Sequence, residues 1–335
     1  MSSNKTSLVL LFVVLLIFLN GCPSPSYSPH PTISSLWYDD ISNELYVIKD
    51  NHILVFNNIS TANGHISPVR IISPPAIYTQ RVYGGLSNMW LDRASNQLFV
   101  TSPYTNSILV FTDTSSMNGN VVPARVISGT TTELDTPAGL WLDPNSNQLY
   151  VRNSNGILVF TDASTMNGNA SPARSIIPTT NGFYPIPFWL DSASDQLYLT
   201  SVDLKGRISI LAFTDVGTMN GNVVPARVIS GTTTELVTPP TGLWLDSISD
   251  QLYVECGQDG ILVFTDATTA NGNVAPARSI IPTTNGFYPI PFWLDSASDQ
   301  LYLTSVDLKG RISILAFTDA STINGVVTPS RVLYP

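Results

Sequence analysis

Charge is scarce in this chain. Asp, Glu, Lys and Arg make up 12% of its 335 residues, roughly half the usual share of a globular protein. Basic residues are scarcer than acidic ones, 15 against 24, for a formal charge of −9. That balance lacks the clustered Lys and Arg of a nucleic-acid surface and gives no basis for docking on anionic lipid. Helix-period apolar stripes are missing beyond the first two dozen residues, which excludes bundles and coiled coils. There are only three His and two Cys, thin material for nucleophilic or metal chemistry. Ser, Thr, Asn, Gly and Pro fill the deficit, with aromatics at 10%. That is the composition of a β-rich protein with many turns.

The one long apolar run lies at the N-terminus, MSSNKTSLVLLFVVLLIFLNGC, where Lys5 precedes Leu8 to Leu19. As a helix this run rises only about 18 Å, short of the ~30 Å bilayer core. A basic start, a short apolar centre and small residues at the end read as a secretory signal over residues 1–21. Leu19-Asn20-Gly21-Cys22 resembles the lipobox of bacterial lipoproteins. The resemblance implies cleavage before Cys22 and acylation of that cysteine with diacylglycerol and palmitate-type chains. It places the protein on the extracytoplasmic side of a bacterial envelope, at the outer membrane or the outer face of the cell membrane. The stretch PSPSYSPHP that follows, within residues 22–32, is an extended tether with little to bury.

Residues 33–335 repeat. All six Trp share one context, SLWYD (Trp37), NMWLD (Trp90), GLWLD (Trp141, Trp244) and FWLD (Trp189, Trp293), spaced 48 to 55 residues apart. Each is followed by an LY or LF pair, then an ILVF or ILAF run, then Asn-Gly, then Arg with a short β-branched run. Each unit thus offers four strands: a (GLWLD), b (QLYV), c (ILVFTD) and d (ARVIS). A period near 50 with four strands is the mark of a propeller blade. The expected fold is all-β, a single six-bladed β-propeller with one Trp per blade. Its blades fall at about 33–74, 75–129, 130–178, 179–231, 232–282 and 283–335. Chain order, from strand a of the first blade to strand d of the last, predicts closure without a swapped strand. Residues 173–215 and 277–319 are identical, which reads as a two-blade duplication. The repeat pattern resembles NHL-type and related bacterial propeller repeats, with YncE-like and SMP-30-like relatives. That resemblance is specific for fold and poor for function.

Chemistry-bearing residues are mostly repeated, hence structural. The Asp after each Trp (Asp39, Asp92, Asp143, Asp191, Asp246, Asp295) is placed to accept N–H bonds from the following turn. The Arg opening each strand d is expected to pair across to the acidic end of strand c, at Asp113, Asp162, Asp215, Asp266 and Asp319, with Asn57 in the first blade. An SMP-30-type lactonase holds a divalent metal through carboxylates and Asn near the inner-strand starts. Those places here read Pro137-Ala138-Gly139, Pro240-Thr241-Gly242 and Ser87-Asn88, where only Asn88 is a ligand type. No metal, cofactor or catalytic residue is therefore assigned. His30, His52 and His65 lie in the tether or first blade, and Cys256 lies in the fifth blade, not adjacent to the first, so a Cys–His couple is not expected.

The c–d turns (TDASTMNGN, TDVGTMNGN, TDATTANGN) are near copies, whereas the b–c and d–a loops on the opposite face vary. Those loops hold Tyr78, Arg81, Tyr83, Tyr104, Phe183, Tyr184, Asp203, Lys205, Phe287, Tyr288, Asp307 and Lys309. Aromatics with a few charges on a rigid ring are the usual material of a recognition surface. The expected function is that of an envelope-anchored monomeric binding or scaffold protein for a protein or glycan. The alternative is an extracytoplasmic hydrolase or a lactonase- or lyase-like propeller enzyme.

Overall fold

Each repeat folds because its four short apolar runs pair in sequence order as antiparallel neighbours. In a computed structural model, which describes residues 33–79, 85–179, 187–257, 260–283, 292–307 and 311–335, these runs form six blades of four antiparallel strands, and in four blades a short strand from the next blade adds a fifth. The first blade comprises strands Ile33–Asp39, Glu44–Lys49, His52–Asn57 and Arg70–Ser73, paired a-b-c-d. The fourth comprises Phe188–Asp191, Gln196–Val202, Ile208–Thr214 and Arg227–Ser230. The fold is the expected all-β, six-bladed propeller.

Core residues of adjacent blades interdigitate, so each apolar cluster belongs to a pair of blades. Trp37, Tyr46, Ile48 and Val55 of the first blade pack on Met89, Leu91, Leu98, Leu109 and Phe111 of the second. The last blade packs on the first in the same way, through Tyr302, Ile314 and Leu333 against Leu36, Leu45 and Phe56. A blade sheet covered on both faces by neighbours has no use for alternating polarity, which is why strands b and c read as unbroken apolar runs.

The Asp after each Trp does what its position predicts. Its Oδ1 accepts the N–H two residues on, and its Oδ2 accepts the hydroxyl of the Ser three residues on, as with Ile41 and Ser42 at Asp39. The same pair recurs at Asp92, Asp143, Asp191, Asp246 and Asp295.

The arginines do not. Instead of meeting the end of strand c, each reaches across the seam into the next blade. Arg227 donates through Nη1 to the carbonyls of Ala267 (2.6 Å) and Ala270 (3.2 Å), and through Nη2 to Gln196 Oε1 (2.6 Å) at the start of its own strand b. Its guanidinium carbon lies 5.8 Å from the Tyr198 ring centroid. Arg70, Arg125, Arg174, Arg278 and Arg331 make the corresponding contacts. The expected acidic partners are committed to backbone shape: Asp113, Asp162, Asp215, Asp266 and Asp319 are left-handed, with φ between 53° and 61°. The equivalent residue of the first blade is Asn58 (φ 55°), not Asn57.

The Asn-Gly pairs are the second half of the seam. Asn167 Oδ1 accepts the N–H of Val126 in the preceding blade, 3.1 Å, and Gly168 bridges Ile127 in parallel. Six such latches occur, at Gly64, Gly119, Gly168, Gly221, Gly272 and Gly325. All six glycines have φ between 68° and 81°, a region in which a Cβ is disfavoured. Ring closure uses the same device. Leu333 and Tyr334 pair with Gly64 and His65, Arg331 reaches the carbonyl of Ala62, and Asn63 accepts the N–H of Val332. The ring closes with no swapped strand.

Candidate functional site

Strand a is the innermost strand of each blade, and its Trp is placed identically in all six, so the tryptophans meet at the centre. Trp37, Trp90, Trp141, Trp189, Trp244 and Trp293 form a closed ring with successive centroids 3.9 to 4.5 Å apart. Adjacent planes differ by 42° to 71°, close to the 60° steps of a six-fold arrangement. In a regular hexagon the radius equals the side, so each centroid lies within about 4.5 Å of the axis. With an aromatic half-thickness of about 1.7 Å, the opening left at the centre is at most about 5.5 Å across. The tryptophans therefore narrow the channel to a constricted floor. The buried indole N–H groups of Trp37 and Trp141 have no oxygen or nitrogen acceptor. Each belongs to a T-shaped pair, with Trp90 and Trp189 respectively, the geometry in which an edge N–H meets a neighbouring π face.

Above this floor is a cavity of about 130 Å³. Its wall includes Ser35, Asn88, Pro187, Phe188, Thr241 and Phe292. Every wall residue other than the tryptophans precedes the Trp of its own strand, so the cavity lies on the side of the d–a and b–c connections. Two glycines shape it. A Cβ on Gly139 would stand 3.0 Å from the Phe188 ring, and one on Gly242 would stand 2.5 Å from the Phe292 ring. Each Phe thus packs over the bare backbone of the preceding blade.

Two ionisable groups stand behind those glycines on strand b. Arg152 pairs in register with Gly139, and Glu255 with Gly242. Neither lines the cavity. Glu255 is fully buried, accepts a hydrogen bond from the Thr241 hydroxyl through Oε2, and has no partner at Oε1. Burial pushes its carboxyl up to about 8, against the opposing effect of the Thr241 hydroxyl and the Gly257 N–H. Burial lowers the Arg152 guanidinium to about 10, and its Nε has no acceptor. The equivalent positions of the other blades hold Ile48, Thr101, Thr200 and Thr304. A charge opposite a glycine, where other blades carry Ile or Thr, was the available sequence signal for both groups. It escapes notice because it depends on strand register.

The loop residues expected to form a recognition surface divide as follows. Tyr78 is half-buried against the seam of the first two blades, and its carbonyl accepts the Ser102 hydroxyl, 2.8 Å. Tyr104 is exposed in the neighbouring single 3-10 turn Pro103–Thr105. Asp203 is turned inward on its own loop. It accepts the N–H groups of Lys205 (2.8 Å) and Arg207 (2.9 Å) and pairs with Arg207 Nε at 2.6 Å. Those bonds, the Arg207 N–H foremost, hold its carboxyl below the usual carboxylate range. Asp307 holds Arg311 in the same way, at 2.7 Å. Lys205 is exposed at the loop tip, beside Leu204, which is 79% exposed. Cys22, Arg81, Tyr83, Phe183, Tyr184, Phe287, Tyr288 and Lys309 lie outside the described residues. Cys256 is fully buried, and His52 is bonded to Ser73 Oγ through Nδ1 at 2.9 Å. Among the described residues no three His, Cys, Asp or Glu side chains converge as metal ligands, and no helix is long and apolar enough to cross a membrane.

No family model and no curated protein matches the chain. Among solved structures, the crystal structure of a nidogen/laminin complex is similar, with a TM-score of 0.49 and 16% identity over 72% of this chain and 79% of that one.

Proposed function

We propose that the chain is a lipid-anchored, extracytoplasmic binding protein that presents the d–a and b–c face of its propeller to a protein or glycan partner. The observation that carries this reading is the unequal use of the two faces. On the c–d side, the Asn side chains and turn carbonyls are consumed in latching neighbouring blades. The opposite face carries the Trp-floored cavity and the loops that differ between blades. Variation between blades concentrates in these loops, and large aromatics in them favour a surface that something covers. A lactonase- or lyase-like activity needs an acid, a base or metal ligands at the cavity, whose polar lining is Ser35, Asn88 and Thr241.

The anchor rests on the leader and the lipobox-like Leu19-Asn20-Gly21-Cys22. Mass spectrometry of the mature N-terminus tests it, with an acylated Cys22 expected and Cys22→Ala releasing the protein from membranes. Retention of Met1 in a soluble wild-type protein refutes it. The face is tested by partner capture from whole cells with the full chain. Tyr184→Ser combined with Tyr288→Ser is expected to abolish capture, and Ile41→Ser combined with Ile248→Ser to leave it intact. Ile41 and Ile248 are 81% and 86% exposed in a–b turns on the other face, so their loss disturbs no seam. The reverse pattern overturns the choice of face.

A further inference from the structure

We propose that the Trp-floored cavity is a binding site for a small quaternary ammonium group, independent of any macromolecular partner on the surrounding loops. Three observations converge on this ligand. First, every one of six indoles is near the axis. With centroids within about 4.5 Å of it, a charge seated up to about 4 Å above the floor lies within about 6 Å of all six ring centroids, the distance range of cation–π attraction. Five of the six indoles are only half-buried, so their surfaces are available to the cavity.

Second, the wall is electron-rich and lacks a formal positive charge. Phe188 and Phe292 add two more rings, and the polar wall atoms are those of Ser35, Asn88 and Thr241. The nearest charged groups, Glu255 and Arg152, stand behind Gly242 and Gly139 and do not line the space.

Third, the wall offers few acceptors. Asn88 Oδ1 already accepts the Leu140 N–H at 3.1 Å, which leaves the Ser35 and Thr241 hydroxyl oxygens as the remaining side-chain acceptors there. A primary ammonium carries three N–H donors into such a site and leaves them short of partners, at a desolvation cost. A quaternary ammonium has no N–H to satisfy and spreads its charge over methyl groups that pack on the rings. Size agrees. About 130 Å³ is close to the ~150 Å³ cavity known to hold a benzene-sized molecule, enough for a trimethylammonium headgroup with a short polar tail rising toward the loops.

The test uses the full chain in detergent and reads tryptophan emission, since the ligand would touch most of the protein's indoles. Choline chloride and tetramethylammonium chloride are titrated at constant ionic strength, with sodium chloride as the ionic control. The neutral isostere 3,3-dimethyl-1-butanol is titrated in parallel. The expected result is a saturable change with both cations and binding of the neutral isostere at least tenfold weaker. Trp90→Leu is expected to weaken the cations at least fivefold, and Ile248→Ser to leave them unchanged. Equal binding of the isostere marks a merely apolar cavity and overturns the proposal. So does the absence of a saturable response to either cation. The wild-type comparison of cation with isostere decides the matter even if Trp90→Leu fails to fold.

Discussion

Replacing Glu255 with Gln should change how stability depends on pH more than it changes stability at acid pH. The carboxyl is fully buried with one oxygen unpartnered, and its pKa rises from 4.5 in an ordinary setting to about 8 in the fold. Between these values the folded chain keeps a proton that the unfolded chain has released. The slope of unfolding free energy with pH is then negative, about 1.4 kcal/mol per pH unit. The contribution is fully present below pH 4.5, falls through the window, and is lost once pH passes about 8. Over three and a half units that amounts to about 5 kcal/mol as an upper bound. Glu255→Gln removes this titration and retains an acceptor for the Thr241 hydroxyl. Urea unfolding of wild type and variant at half-unit steps from pH 4.5 to 9 provides the assay. All other titrating groups cancel in the difference between the curves. The variant should gain steadily on the wild type up to pH 8 and run parallel above it. Curves that stay parallel across the whole range would refute the argument, because a solvent-exposed carboxyl has no such window.

Three further outcomes follow from the ring. Arg227→Met should cost about 2–4 kcal/mol, because two carbonyls of the next blade and Gln196 lose their donor together; a melt shift no larger than that of an exposed arginine would refute this. Gly221→Ala should cost about 1 kcal/mol, since its φ is 72° yet nothing stands within 4 Å of the added methyl; a neutral result would show that the latch tolerates a side chain. Trp141→Ala should cost roughly 3–5 kcal/mol and still unfold in one transition, as its cluster spans two blades; two separated transitions would mean that the blades fold as independent units.

The seams also explain how a two-blade duplication survives in a closed ring. Each blade brings an Arg for the next blade and an Asn-Gly for the previous one. A blade pair inserted anywhere meets partners already fitted to it. The seam between the last and first blades uses the same residues, through Arg331, Asn63 and Gly64. Closure needs no special strand because it is chemically one more seam.

The repeat pattern alone specified the blade. The Trp, the LY pair, the ILVF run and the turn-forming Asp lie within one repeat, and their mutual geometry is set by strand period and short turns. The roles of Asp39 and its five equivalents were legible because a carboxylate two residues before an N–H makes a local bond. The partners of the arginines were not legible. Arg174 meets carbonyls 42 and 45 residues away, and Arg331 meets one 269 residues away, distances that only blade packing closes. The same holds at the centre. Six tryptophans at like positions announce six blades, but that their rings meet as a floor follows from the radius at which the ring closes. Glu255 reads in the sequence as an ordinary charged residue of a strand. Its burial and its raised pKa are set by Gly242 in the adjacent strand and Phe292 in the next blade, because dielectric surroundings are a property of packing in three dimensions and not of neighbours along the chain.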